Sequence, residues 1–198
     1  MPDRLMDDGE LWGLEQNAAR VENARALLST VPSQAVAELE ELANGGSVMA
    51  MLFLAAAHNK RGEVGWVEAE KWYRMAYRRG SSTALFCLGT KNYHAGNIDE
   101  AERLWTDGVS RGDGPSMFCL ASLYLDNSSD AAKHAQAKIL LEEASALGQV
   151  RAAYRLGRMS MAGKFGVANI PKGALLCLKS LISAGKIYYR EPMSPRLW

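Results

Sequence analysis

The placement of glycine constrains this chain more than any other feature. Gly46, Gly80, Gly112, Gly148 and Gly185 follow one another at intervals of 34, 32, 36 and 37 residues. Eleven residues before each stands an alanine: Ala35, Ala69, Ala101, Ala137 and Ala174. After the first four glycines a second pattern repeats. A small residue comes four positions on (Ala50, Ala84, Ser116, Ala152), and a leucine comes eight positions on (Leu54, Leu88, Leu120, Leu156). Self-similarity at such a period is the mark of stacked supersecondary units, none of which can bury its apolar face alone.

Both half-units carry helical spacing. Ala50, Leu54 and Ala57 share one face, and so do Trp72, Tyr73 and Ala76 on the second half-unit. Small residues on such a face admit a neighbouring helix at close range. Glycine suits the left-handed conformation that ends a helix, and Pro115 and Pro171 stand near helix starts, where a missing N–H costs little. The reading is therefore all-α, with about ten helices near 10–29, 33–44, 47–60, 66–79, 82–95, 98–111, 115–126, 130–147, 150–162 and 170–184. Residues 186–198 show no periodicity and contain Pro192 and Pro195.

These motifs resemble the Sel-one-like repeat (SLR), a relative of the tetratricopeptide repeat. The nearest copies are Ala152-Ala-Tyr-Arg-Leu-Gly157, and Ala69-Glu-Lys-Trp-Tyr-Arg-Met-Ala76 closed by Gly80. The resemblance spans about residues 33–185. It departs from the family at the first-helix tyrosine, kept only as Tyr124 and replaced by His58, Asn92 and Ser160. It implies a right-handed α/α superhelix, a solenoid of helix-turn-helix repeats forming one domain over 1–198. Within it, 1–32 would be a helical cap and 33–46 a half repeat. Repeats would follow at 47–80, 81–112, 113–148 and 149–185, with 186–198 as a tail.

The family likeness also implies a scaffold or adaptor that binds a protein or peptide on a concave first-helix surface. Carried onto this sequence, that surface comprises Asn59, Thr90, Tyr93, His94, Asp126, Arg151, Tyr154 and Arg158. Tyr154 could equally be a packing residue. Arg155 joins Arg151 and Arg158 at helical spacing, and three like charges this close call for an acidic partner or a nearby carboxylate, with Glu142 or Glu143 as the local choice. Tyr188, Tyr189, Arg190 and Trp198 in the tail are residue types typical of interface anchors, and equally of a cap over the last helix pair.

Charge sharpens this expectation. The net charge of +1 over 198 residues conceals −6 on residues 1–50, −1 on 51–148 and +8 on 149–198. The overall balance argues against a general nucleic-acid binder. The polar ends leave head-to-tail self-association as an alternative. No window approaches the roughly 20 apolar residues of a membrane span. No secretory leader is visible in the first residues and the three cysteines form no paired framework, so a cytoplasmic setting is expected.

Catalytic and cofactor motifs are absent from the sequence: no HExxH, GxSxG, Walker A or GxGxxG. No His/Asp/Glu cluster accompanies His58, His94 or His134 at i+3 or i+4, so structural or surface roles are expected and no metal or cofactor is assigned. Trp72, Tyr73 and Trp105 are expected in the core. Arg111-Gly-Asp113 spells an adhesion tripeptide without a context that would use it. The reading is a non-enzymatic interaction module. The alternatives are a toxin- or effector-neutralising repeat protein, and a small-ligand or enzymatic protein using the groove.

Overall fold

The computed structural model describes residues 3–163 and 169–190, the last three of these in backbone only. Among the described residues eleven helices follow in order: α1 Asp8–Leu14, α2 Ala18–Leu27, α3 Pro32–Asn44, α4 Val48–Asn59, α5 Glu63–Arg78, α6 Ser82–His94, α7 Ile98–Ser110, α8 Gly114–Asn127, α9 Ala131–Ala146, α10 Val150–Met161 and α11 Ile170–Arg190. The sole β pairing among them is an isolated bridge between Met6 and Ser81. No described helix is long and apolar enough to cross a membrane. The chain forms two compact units, Met1–Ala101 and Glu102–Trp198, and the division falls within α7.

The repeat boundaries show why the glycine period produces helix pairs. Gly46, Gly80, Gly112 and Gly148 all have positive φ, between 75° and 105°. The N–H of each residue after the glycine reaches back five positions: Ser47 to the Leu42 carbonyl, Ser81 to Ala76, Asp113 to Gly108 and Gln149 to Ala144, at 3.0–3.1 Å. This double-back satisfies carbonyls that the ended helix leaves open. The residue that closes one helix then opens the next. Ser47, Ser81 and Asp113 accept side-chain caps from the backbone N–H groups of Ala50, Ala84 and Ser116. A glycine followed by serine or aspartate is thus a complete two-residue connection.

Two expected elements differ. The helix near 10–29 is two helices, broken at Glu15–Asn17. Glu15 is extended (φ −74°, ψ 110°), and its carboxylate accepts from the Asn17 N–H at 3.0 Å and the Ser47 hydroxyl at 2.6 Å. These tertiary and local bonds compete with the next helical turn. The second difference lies at the other end. Gly185 does not close its helix: its φ is not positive, and α11 runs on to Arg190. The nonperiodic tail therefore begins later than 186. Residues 191–198 lie outside the described residues.

In the first unit Leu39, Met51, Leu54, Leu85 and Leu88 are fully buried, and Trp72 and Tyr73 nearly so. The second unit buries Leu104, Leu120 and Leu141, with Trp105 beside them. The expected aromatic core is therefore observed. Its α10–α11 pairing depends on missing side chains. A Cβ on Gly157 would stand 2.8 Å from the Gly173 carbonyl oxygen and 2.7 Å from Cys177 Sγ, and one on Gly173 would stand 2.6 Å from the Gly157 carbonyl oxygen. Backbones approach this closely only where neither helix carries a Cβ.

Candidate functional site: a basic aromatic groove on α10

Close packing at Gly157 and Gly173 fixes the wall of a groove. α10 presents Arg151, Tyr154, Arg155 and Arg158 along one face, at the three- and four-residue steps of a helix. Phe118 of α8 lies on one side, and Ser180 and Leu181 of α11 on the other. Together they line a cavity of about 600 Å³. The Ser180 hydroxyl donates to the Leu176 carbonyl at 2.7 Å.

Each guanidinium is held differently. Arg151 stacks over the Phe118 ring with 4.7 Å between its Cζ and the centroid. Arg155 donates from Nη2 to Asp126 Oδ1 at 2.6 Å. Arg158 lies 6.0 Å over the Tyr154 ring, and no carboxylate of the described residues pairs with it. Stacking on an aromatic face orients a guanidinium while leaving its N–H groups directed outward. Tyr154 keeps 38% of its surface exposed and is a wall of the groove rather than core.

The neutralising carboxylate expected at Glu142 or Glu143 is instead Asp126; Glu142 pairs with Lys138 on its own helix at 3.7 Å. Asp126 was expected to meet a partner directly. It is engaged by Arg155, because the end of α8 lies across from the second turn of α10. Sequence spacing within a helix does not reveal carboxylates brought in from a neighbour. Phe118, Ser180 and Leu181 were likewise missed as groove residues.

The remaining expected positions lie elsewhere. Asn59 ends α4, exposed, and Thr90, Tyr93 and His94 occupy the last two turns of α6. The Tyr93 and His94 rings meet edge-on at 5.5 Å. The side chains of Tyr188, Tyr189 and Arg190, and all of Trp198, lie outside the described residues. His134 Nε2 is 2.7 Å from the Ser128 carbonyl oxygen. His58 Nε2 is buried without a hydrogen-bond partner, beside a second cleft of about 700 Å³ that Arg25, Phe53 and Arg61 also line. Among the described residues no group of three or more His, Cys, Asp or Glu is arranged to hold a metal ion.

The cysteines are placed for packing. Burial pushes the Cys119 thiol up to about 12; Asp113 pushes the same way and Arg151 opposes. Burial also raises Cys87, against a hydrogen bond from Tyr73. A thiol held protonated is a poor nucleophile and a poor metal ligand.

No family model matches the sequence, and no curated protein matches it. Solved structures do. A Sel1 repeat protein from Oxalobacter formigenes superposes with a TM-score of 0.65 at 14% identity, over 94% of this chain and 88% of the other. A protective antigen of uropathogenic Escherichia coli strains displaying an SLR fold superposes with a TM-score of 0.60 at 21% identity, over 78% of this chain. This chain spans 35% of the length of that antigen. The expected all-α SLR fold is therefore observed.

Proposed function

We propose, taking the SLR fold as premise, that this chain is a non-enzymatic interaction module whose α10 groove binds an acidic segment of a protein partner. The observation that carries the reading is the set of three guanidiniums in one groove, Arg151 and Arg158 over aromatic rings and Arg155 joined to Asp126. Arginine and aromatic side chains dominate binding energy at protein interfaces. Guanidinium N–H groups take carboxylates in two-point geometry, which suits Asp and Glu side chains. The +8 charge of residues 149–198 extends the same attraction to longer range and speeds encounter.

The test is a fluorescence-anisotropy titration of the full chain with a labelled peptide rich in Asp, Glu and Tyr. Binding should weaken as salt rises and be lost in Arg151→Glu/Arg158→Glu, while circular dichroism stays unchanged. Equal affinity in the double variant would refute the groove as the site.

A further inference from the structure

Among the described residues nothing covers the outward face of α11, at positions that the other repeats bury. Aligned on the repeat, Ala174 corresponds to Ala69, Ala101 and Ala137, all fully buried. Leu178 corresponds to Tyr73, Trp105 and Leu141, exposed by 4%, 4% and 0%; Leu178 itself is 56% exposed. Leu181 corresponds to the buried Ala76, Gly108 and Ala144 and is also more than half exposed. Leu175 and Ile182 complete the arc at helical spacing, each about half exposed.

What covers such a face elsewhere is a helix. Within the second unit α9 packs against both α8 and α10. The helices that follow a repeat's second helix carry a fully buried small residue in their first turn, Ala84 in α6 and Ala152 in α10. Charge narrows the occupant further. Lys172, Lys179 and Lys186, all exposed, recur every seven residues and so run along one flank of the apolar arc. α11 contains no Asp or Glu. A second α11 would bring three more lysines and no carboxylate, which disfavours pairing of two copies through this helix.

We infer that α11 is a docking site for an amphipathic helix of a partner protein, seated where the first helix of a following repeat would lie. Its apolar ridge is built of small residues and leucine, and its edge carries Asp or Glu opposite the three lysines. Leu181 borders both this face and the α10 groove, whereas Leu175, Leu178 and Ile182 do not line that cavity.

The probe is a labelled synthetic helix of about 18 residues with an alanine–leucine face and glutamates at seven-residue steps along one flank. Its companion carries lysines instead. The full chain should bind the glutamate helix about tenfold or more tighter than the lysine helix. Lys172→Glu/Lys179→Glu/Lys186→Glu should reverse that preference, and Leu178→Asp should weaken binding at least about tenfold. Arg151→Glu/Arg158→Glu should leave this binding intact, so failure of the groove and failure of this site are distinguishable. Equal binding of both helices, or indifference to Leu178→Asp, overturns the inference. So does a dimer that Leu178→Asp dissolves in sedimentation, which makes a second copy the occupant. Anionic vesicle binding lost in the same variant, or helix binding seen only after residues 191–198 are removed, overturns it as well.

Discussion

Gly157→Ala and Gly185→Ala make the same chemical change in two helices and should have opposite effects. Replacing glycine by alanine in a helix interior is intrinsically favourable by about 0.8–1 kcal/mol, because alanine has less backbone freedom to lose. At Gly185 a Cβ meets nothing within 4 Å, so that gain should appear nearly whole, as a stabilisation approaching about 1 kcal/mol. At Gly157 the added methyl would lie 2.8 Å from the Gly173 carbonyl oxygen and 3.0 Å from the Cys177 N. Restoring an ordinary contact of 3.4 Å needs α11 to retreat by about 0.6 Å, and neither backbone atom can swing aside as a side chain would. Overpacking of this kind costs about 1–3 kcal/mol, which outweighs the propensity gain over most of its range. Urea unfolding of the wild type, both single variants and Gly157→Ala/Gly173→Ala is the assay. The double variant should be far from additive, since both methyl groups contest one crossing point. A Gly157→Ala protein as stable as Gly185→Ala would refute the close α10–α11 contact, and with it the position of the groove wall.

Leu141→Ala and Leu178→Ala occupy the same repeat position: the first should cost about 2–5 kcal/mol and the second within about 0.5 kcal/mol, measured by thermal unfolding. Equal losses would mean that Leu178 is covered. Burial raises the Asp8 carboxyl, with Asp7 adding to the shift and a hydrogen bond from Thr83 opposing it. The folded state therefore holds that proton more tightly, and its contribution is complete below the unfolded value and lost as pH rises through the raised one. Asp8→Asn should accordingly stabilise the protein at pH 7 and change little at pH 3; a larger gain at pH 3 would reverse this sign. Cys119 should resist alkylation in native protein at pH 8 and react once urea unfolds it, read by mass spectrometry; rapid native labelling would contradict its burial.

The fold was legible because its signals are local and repeated. A glycine with positive φ, the cap residue after it and the small residue three further on lie within five positions, and they act through short-range bonds. The two departures arose where long-range contacts or an unused signal decided the outcome. Glu15 leaves the helix for a hydroxyl 32 residues away on Ser47. Gly185 sits in the repeat position of a closing glycine, yet a glycine permits the left-handed conformation without imposing it. Its predecessors are followed by Ser, Ser, Asp and Gln, the first three of which cap the next helix, whereas Lys186 follows Gly185 and α11 continues.

The candidate site was half legible for a related reason. Arg151, Tyr154, Arg155 and Arg158 fall on one face by helical arithmetic, so their gathering follows from sequence alone. What surrounds them does not. Asp126 reaches Arg155 only because α8 and α10 are neighbours, and Phe118 becomes a platform for Arg151 only at the depth that this packing sets. The face of α11 makes the same point from the opposite direction. Leu178 stands at the repeat position of Leu141, while Leu181 replaces the small residues Ala76, Gly108 and Ala144. Only the absence of a covering helix among the described residues turns that core pattern into a surface. Burial in a repeat fold belongs to the packing around a position as much as to the residue that occupies it.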